Sequence, residues 1–282
     1  MAPTDIARAD DPMDLSLSAS ELEAYREHST SFIADTVEGA GADEAIVALS
    51  GGIDSTLTAT LAVEALGTGS VYGLVLPSEV NRERNMTDAE RVAGGLLGIE
   101  YDVVEIGPIV EAVLDAAPAS TVPSGEASRH IAVGNLRARL RAVLAYLGAN
   151  GRNAVVLGTG NRSEALVGYF TKYGDGAVDC SPIGPLYKQQ VRQLARYVGV
   201  PEDLAAKTAS AELWVGQTDE AELGIDYETL DSILALHVDG PLSVSATATE
   251  IGIDPRTVER VSELHERSEH KRQFPPSPDP RD

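Results

Sequence analysis

Ala48, Leu49, Ser50, Gly51, Gly52, Ile53, Asp54 and Ser55 combine residue types that could handle a phosphate chain. They follow a short apolar run and open a helix-forming stretch. Ser50, Gly51 and Gly52 predict a turn whose backbone amides can point at phosphate oxygens, and the next helix adds the positive end of its dipole. Glycines let a ligand approach the backbone closely. A carboxylate at Asp54, beside such an anion pocket, calls for a cation between the two, so Asp54 is a magnesium candidate. No lysine follows as in G-x-x-x-x-G-K-[ST], and the turn is not G-x-G-x-x-G either. Ordinary γ-phosphoryl transfer is therefore not the chemistry it suggests.

Charge sharpens the search. The 282 residues include 44 acidic and 22 basic side chains, a formal net charge of −22. Such a surface repels nucleic acid and anionic membranes. It suits high salt, where screening weakens self-repulsion, so a halophilic source is expected. Only Lys172, Lys188, Lys207 and Lys271 supply lysine, and each lies in a segment singled out on other grounds. One cysteine, Cys180, excludes an internal disulfide and a cysteine cluster for zinc. No apolar run approaches the roughly 20 residues of a membrane span. The acidic start, Met1 to Asp14, has no signal-peptide core, and the expected location is cytoplasmic.

The elements that must hold the turn follow from periodicity. Helices are predicted over Ser20–Val37, Thr56–Leu66, Asn85–Leu97, Ile109–Ala116 and Ala127–Leu147, the last broken near Gly134 and stopped by Gly148. Short apolar strands are predicted at Ala45–Leu49, Val71–Leu76, Tyr101–Ile106 and Ala154–Leu157. This alternation predicts an α/β fold, a Rossmann-like doubly wound parallel sheet of about five strands with helices on both faces. Ligands in such sheets bind beyond the carboxyl ends of the strands, where the glycines at Gly51 and Gly158 fall. Residues 168–185 read as a long loop and 207–224 as a lid, with 79–87 as a second one. Helices follow at Gln189–Val198, Pro201–Ala206, Asp226–His237 and Pro255–His270. Residues 1–18 and the Pro-rich 275–282 are expected to be disordered, leaving a single domain over 19–274.

S-G-G-I-D-S at 50–55 resembles the phosphate loop of ATP pyrophosphatases of the adenine nucleotide α-hydrolase superfamily. These enzymes attack ATP at the α-phosphorus and leave an adenylated substrate. The rest of the chain narrows the choice. G-Y-F-T-K-Y-G-D-G-A-V-D at 168–179 resembles the signature of NAD synthetases. It is flanked by G-N-L-R-A-R at 134–139, G-T-G-N-R-S-E at 158–164, P-L-Y-K at 185–188, K-T-A-S-A-E-L at 207–213, D-E-A-E-L-G at 219–224 and E-H-K-R at 269–272. The resemblance spans about residues 20–275.

What the resemblance implies is specific. Residues 48–55, Thr159, Lys188 and Ser210 bind ATP, with Ala209, Ser210 and Glu212 departing from the family's usual P-T-A-D-L. Asp54 and Glu164 hold Mg²⁺. Asp54, Lys188 and Glu164 form the catalytic group. Arg139, Lys172, Asp179, His270 and Lys271 bind deamido-NAD, at the two-fold interface of a homodimer. The implied reaction adenylates the nicotinate carboxylate of deamido-NAD, then amidates it to give NAD, AMP and pyrophosphate. Glutamine-dependent members carry an amidase domain with a catalytic cysteine. About 20 residues precede the matching region here, so free ammonia is the expected nitrogen donor. Arg84, Asp219 and Glu220 fall in the loops without an assigned role. The rival readings are another amidating ATP pyrophosphatase resembling GMP synthetase, which should lack F-T-K-Y-G-D-G, and a nucleotide-binding protein without enzymatic activity.

Overall fold

The computed structural model describes residues 6–77, 88–210 and 218–278. Four parallel strands, β1 (Glu44–Leu49), β2 (Val71–Val75), β3 (Glu100–Val103) and β4 (Ala154–Leu157), lie in the order β3-β2-β1-β4. β1 is central, pairing Ala45 with Val71 and Val155. Alternate side chains of the strands enter different cores. Ala45, Val47, Leu49, Val71 and Val75 face α1 (Ala19–Ala40), α2 (Ile53–Leu66) and α6 (Lys188–Tyr197). Ile46, Tyr72, Leu74 and Val156 instead meet Ala145 and Ala149 of the long helix α4 (Glu126–Arg152). α3 (Gly107–Ala116) packs on the same side, sending Ile106, just before it, into that core. Both faces of the sheet are covered, as the continuous apolar runs require.

Several expectations are corrected. Among the described residues the sheet has four strands rather than about five. Beside β4, where a fifth would lie, the chain makes one bridge, Leu157 with Cys180. There Asp179 pairs with Val156 through both its backbone and its side chain: Asp179 N–H donates to Val156 O (2.9 Å), and Val156 N–H donates to Asp179 Oδ2 (2.7 Å). A side chain filling a ladder position replaces the next backbone carbonyl, and the pairing goes no further. α4 is unbroken at Gly134 and passes through Gly148. A Cβ at Gly148 would lie 3.2 Å from Ile46 Cδ1, so this glycine serves close helix–sheet packing. The helix ends instead at Asn153, in the left-handed region at φ 53°. The predicted helix after β2 is described only from Asp88 and becomes π-helical over Arg91–Leu97.

A second core gathers the C-terminal helices: α8 (Asp219–Leu223), α9 (Tyr227–Ile233), α10 (Val244–Glu250) and α11 (Pro255–Arg267), centred on Ile225, Tyr227, Leu234 and Val258. α5 (Arg162–Val167) joins it to β4, while α7 (Glu202–Ala205) follows α6 and α12 (Glu269–Arg272) follows α11. α10 escaped the periodicity reading because V-S-A-T-A-T-E carries few large apolar residues. Where disorder was expected, residues 6–18 run along this core. Ala7 bridges Ile225, Ala9 N–H donates to Thr229 Oγ1 (2.8 Å), and Leu17 N–H donates to Gln193 Oε1 of α6 (2.8 Å). The expected lid 79–87 with Arg84, and 211–217 of the second lid with Glu212, lie outside the described residues.

Candidate active site

The site forms where β1 and β4, which pair side by side, reach their carboxyl ends. β1 runs into the turn Ser50–Gly52. Gly51 adopts φ +75°, and a Cβ there would lie 2.7 Å from Asp88 Cβ, so only glycine fits. Ser50 Oγ accepts from Gly52 N–H (3.2 Å) and exchanges a hydrogen bond with Ser55 Oγ (3.1 Å), which tightens the turn. Gly52 caps α2, and among the described residues no side chain caps that helix start. Its first amides therefore face the cavity as donors for an anion. Asp54, in this first turn, projects toward β4.

β4 runs into Gly158, Thr159 and Gly160. A Cβ on Gly158 would lie 2.7 Å from Val178 Cγ2, which keeps that strand end bare. Asn161 caps α5 and forms a capping box with Glu164. Its side-chain amide donates to Asp54 Oδ1 (2.9 Å), coupling the two strand ends. One Glu164 oxygen accepts from Asn161 N–H (3.3 Å), while the other faces Lys188.

Lys188 is the centre of this arrangement. It opens α6 and is 1% exposed. Its Nζ donates to Asp54 Oδ2 (2.5 Å) and Glu164 Oε1 (3.3 Å), and sits 5.2 Å from the ring centre of Tyr227. Burial works against the ammonium charge, but Asp54 and Glu164 more than offset it and hold the group above the ordinary lysine range. Glu164 is held above the usual carboxylate range, by burial first, with Lys188 opposing and Asp54 and Asp219 adding repulsion. Asp219 is itself buried and raised by burial, and accepts from Tyr227 Oη (2.9 Å). Sequence reasoning assigned no role to Asp219 and missed Asn161 and Tyr227. The N-x-x-E spacing of 161–164 was a legible capping signal.

Ser50, Gly52, Ile53, Asp54, Ser55, Thr159, Glu164, Lys188 and Ser210 all line one cavity of about 470 Å³. Ala48 and Leu49 lie below it in β1. Lys207 lies on the same wall; its Nζ donates to Gly51 O (3.1 Å) and to Asp88 Oδ2 (2.8 Å). Lys271 and Arg272 close the opposite side. Lys271 Nζ donates to Gly168 O (2.7 Å) and Phe170 O (2.9 Å), and burial lowers its pKa. Three of the four lysines of this acidic chain thus converge on one cavity.

The remaining residues expected to bind the dinucleotide divide into two places. Arg139 donates to Lys172 O (3.3 Å), and Lys172 Nζ donates to His270 O (2.5 Å). With Lys271 they make one cationic cluster from α4, the 168–179 loop and α12. Asp179 stands apart, its oxygens taken by Val156 N–H and by Tyr146 Oη (3.1 Å). Cys180, next to it, is a partly buried free thiol.

A glycine turn opening a helix, a buried lysine between two carboxylates and a covered parallel sheet make the frame of an α/β enzyme with a polar cavity at its strand ends. The NAD synthase family model matches residues 25–275, and the chain belongs to that family. It is 57% identical to the NH(3)-dependent NAD(+) synthetase of Halobacterium salinarum over 95% of this chain and 97% of that one. That source agrees with the halophilic character expected from the charge. The NH3-dependent NAD synthetase of Campylobacter jejuni superposes with a TM-score of 0.74 at 28% identity, covering 94% of this chain and 100% of the other. The NMN synthetase of Francisella tularensis does so with a TM-score of 0.78 at 35% identity, covering 93% and 99%.

Proposed function

We propose that this protein is an ammonia-dependent NAD synthetase, which uses ATP to activate the nicotinate carboxylate of deamido-NAD and then amidates it. One observation carries the reading: Lys188, Asp54 and Glu164 meet at the end of β1 and β4, directly beside the Ser50–Gly52 turn. In a chain with net charge −22, a cavity collecting Lys188, Lys207 and Lys271 fits substrates that are polyanions.

The turn and the start of α2 hold the ATP phosphates, with Thr159 and Ser210 as further contacts. The carboxylate oxygen of deamido-NAD attacks the α-phosphorus, the bond to the bridging oxygen breaks, and pyrophosphate leaves. Lys188 stabilises the charge gathering on that leaving group. Ammonia then attacks the acyl carbon of the adenylate, the acyl–oxygen bond breaks, and AMP and a proton depart as the amide forms. Positioning supplies the rate, and no protein nucleophile takes part. Arg139, Lys172, His270 and Lys271 hold the dinucleotide, whose pyrophosphate and carboxylate suit arginine and lysine. Asp179 is exposed and keeps acceptor capacity for the dinucleotide beyond its bonds to Val156 and Tyr146.

Mg²⁺ fits the donor set. Asp54 and Glu164 offer hard carboxylate oxygens beside the phosphate turn, and Mg²⁺ takes one or two carboxylates completed by phosphates and water. Among the described residues no group of three such ligands exists, and phosphates and water would supply the rest. Bound there, Mg²⁺ would neutralise phosphate charge.

The protein is also proposed to be a cytoplasmic homodimer. Among the described residues no helix is long and apolar enough to cross a membrane. Val143 and Leu147, one turn apart on α4, leave exposed apolar side chains on one face that suit a partner. A second reading, amidation of nicotinate mononucleotide, has the Francisella structure in its favour. Supplying each acid separately with ATP, Mg²⁺ and ammonium discriminates them. Conversion of deamido-NAD to NAD supports the proposal, and turnover of the mononucleotide alone overturns it.

A further inference from the structure

Lys188 and Glu164 belong to different helices, and a fully buried carboxylate on a third helix joins them. Asp231, in α9, is 0% exposed. Its Oδ1 accepts from Ser163 Oγ (2.5 Å) and its Oδ2 accepts from the Gln189 backbone N–H (2.9 Å). Ser163 Oγ in turn accepts the Lys188 backbone N–H (2.9 Å). Ser163 precedes Glu164 in α5, and Gln189 follows Lys188 in α6. One carboxylate therefore ties the start of α5 to the start of α6, with Ser163 and Lys188 also buried.

We propose that Asp231 is a positioning residue for the adenylation step, setting Lys188 and Glu164 in register on the leaving pyrophosphate. This rests on the role given to Lys188 above. The chemistry favours a carboxylate at this point. Two donors, a hydroxyl and an amide, converge on it, and an ionised carboxylate, which only accepts, serves both. An amide side chain has one acceptor oxygen for two donors, so either the Gln189 N–H or the Ser163 hydroxyl would lose its acceptor. A buried carboxylate is costly unless such bonds satisfy it. Asp231 does not line the cavity, so it acts through the residues it holds.

The test compares Asp231→Asn, Ser163→Ala and the double variant with the unaltered protein. The readouts are kcat, the KM of each substrate, and the Kd of a non-cleavable α,β-methylene ATP. The expected result for either single variant is a fall in kcat of about 10- to 100-fold, the scale of a misplaced reacting group. The KM of deamido-NAD stays within about twofold, and the analogue binds more weakly. In the double variant the losses do not add, because both changes break one network. A variant with lowered thermal stability but unchanged kcat, or singles whose effects multiply, would overturn the proposal. If Asp231→Asn does not fold, Ser163→Ala still decides through its kcat and analogue Kd. Inactivity of the unaltered protein would refute the functional reading instead, so the two failures are distinguishable.

Discussion

Gly168→Ala isolates the contact between the 168–179 segment and the C-terminal helices. Gly168 ends α5 in the left-handed region, at φ +69°. An L-residue there costs about 1–2 kcal/mol. Its Cβ would also lie 2.2 Å from Ser268 Cβ and 2.7 Å from Ser268 Oγ. Ser268 is 6% exposed, and its Oγ bonds His265 O and accepts from Arg272, so it has little freedom to retreat. Overpacking of this kind adds about 1–3 kcal/mol. The sum, about 2–5 kcal/mol, corresponds to a fall in Tm of roughly 3–8 °C for a chain of 282 residues. Lys271, which donates to Gly168 O, must shift with the segment, so the KM of deamido-NAD should rise while that of ATP changes less. Urea unfolding of Gly168→Ala, Ser268→Gly and the double variant measures the steric part. Removing the Ser268 Cβ should be more favourable by about 1–3 kcal/mol in the Gly168→Ala background than in the native one. Equal effects of Ser268→Gly in both backgrounds would refute the steric argument.

Three other outcomes follow from the site and the charge. Lys188→Met removes the cation between two carboxylates; it should cost about 3–5 kcal/mol in urea unfolding and lower kcat by about 10²–10³-fold in steady-state assays. Retention of kcat within threefold would contradict the assigned role. Burial lifts Asp231 to about 6, above its ordinary 3.8. The folded state then binds the extra proton between those values, so this contribution is present below about pH 4 and lost as pH rises through 6. The loss is up to about 3 kcal/mol. Denaturation from pH 4 to 7 should show that slope in the unaltered protein and lack it in Asp231→Asn. Raising KCl from about 0.1 M to about 1 M shortens the screening length from about 10 Å to 3 Å, and should raise Tm by relieving the repulsion of a −22 chain; a Tm independent of KCl would contradict this.

Much of the fold was legible because its signals are local. Apolar runs ending just before Ser50 and Gly158 mark strand ends, and the Ser50–Gly52 turn lies between strand and helix as expected. Scarcity did the same for Lys188, Lys207 and Lys271. What escaped depends on partners distant in sequence. Asp231 lies in the apolar stretch L-D-S-I-L, and an acid there hints at a buried function, but Ser163 and Gln189, its partners, are more than 40 residues away. Asp179 stands in the signature, and its bond to the edge of β4 depends on a strand more than 20 residues away. Gly148 has the form of a helix stop, and only the position of Ile46 makes it a packing residue. Residues 6–18 have too little periodicity to predict their course, which is fixed by backbone bonds to Gly224, Ile251 and Gly252.

The central claim is that the acid group of the substrate attacks the innermost phosphorus of ATP beside Lys188. Deamido-NAD labelled with ¹⁸O in its nicotinate carboxylate tests this directly by mass spectrometry of the nucleotide products. Attack there should place one ¹⁸O in the phosphate of AMP, with unlabelled pyrophosphate released in equal amount. ADP with inorganic phosphate, or AMP free of label, would contradict it.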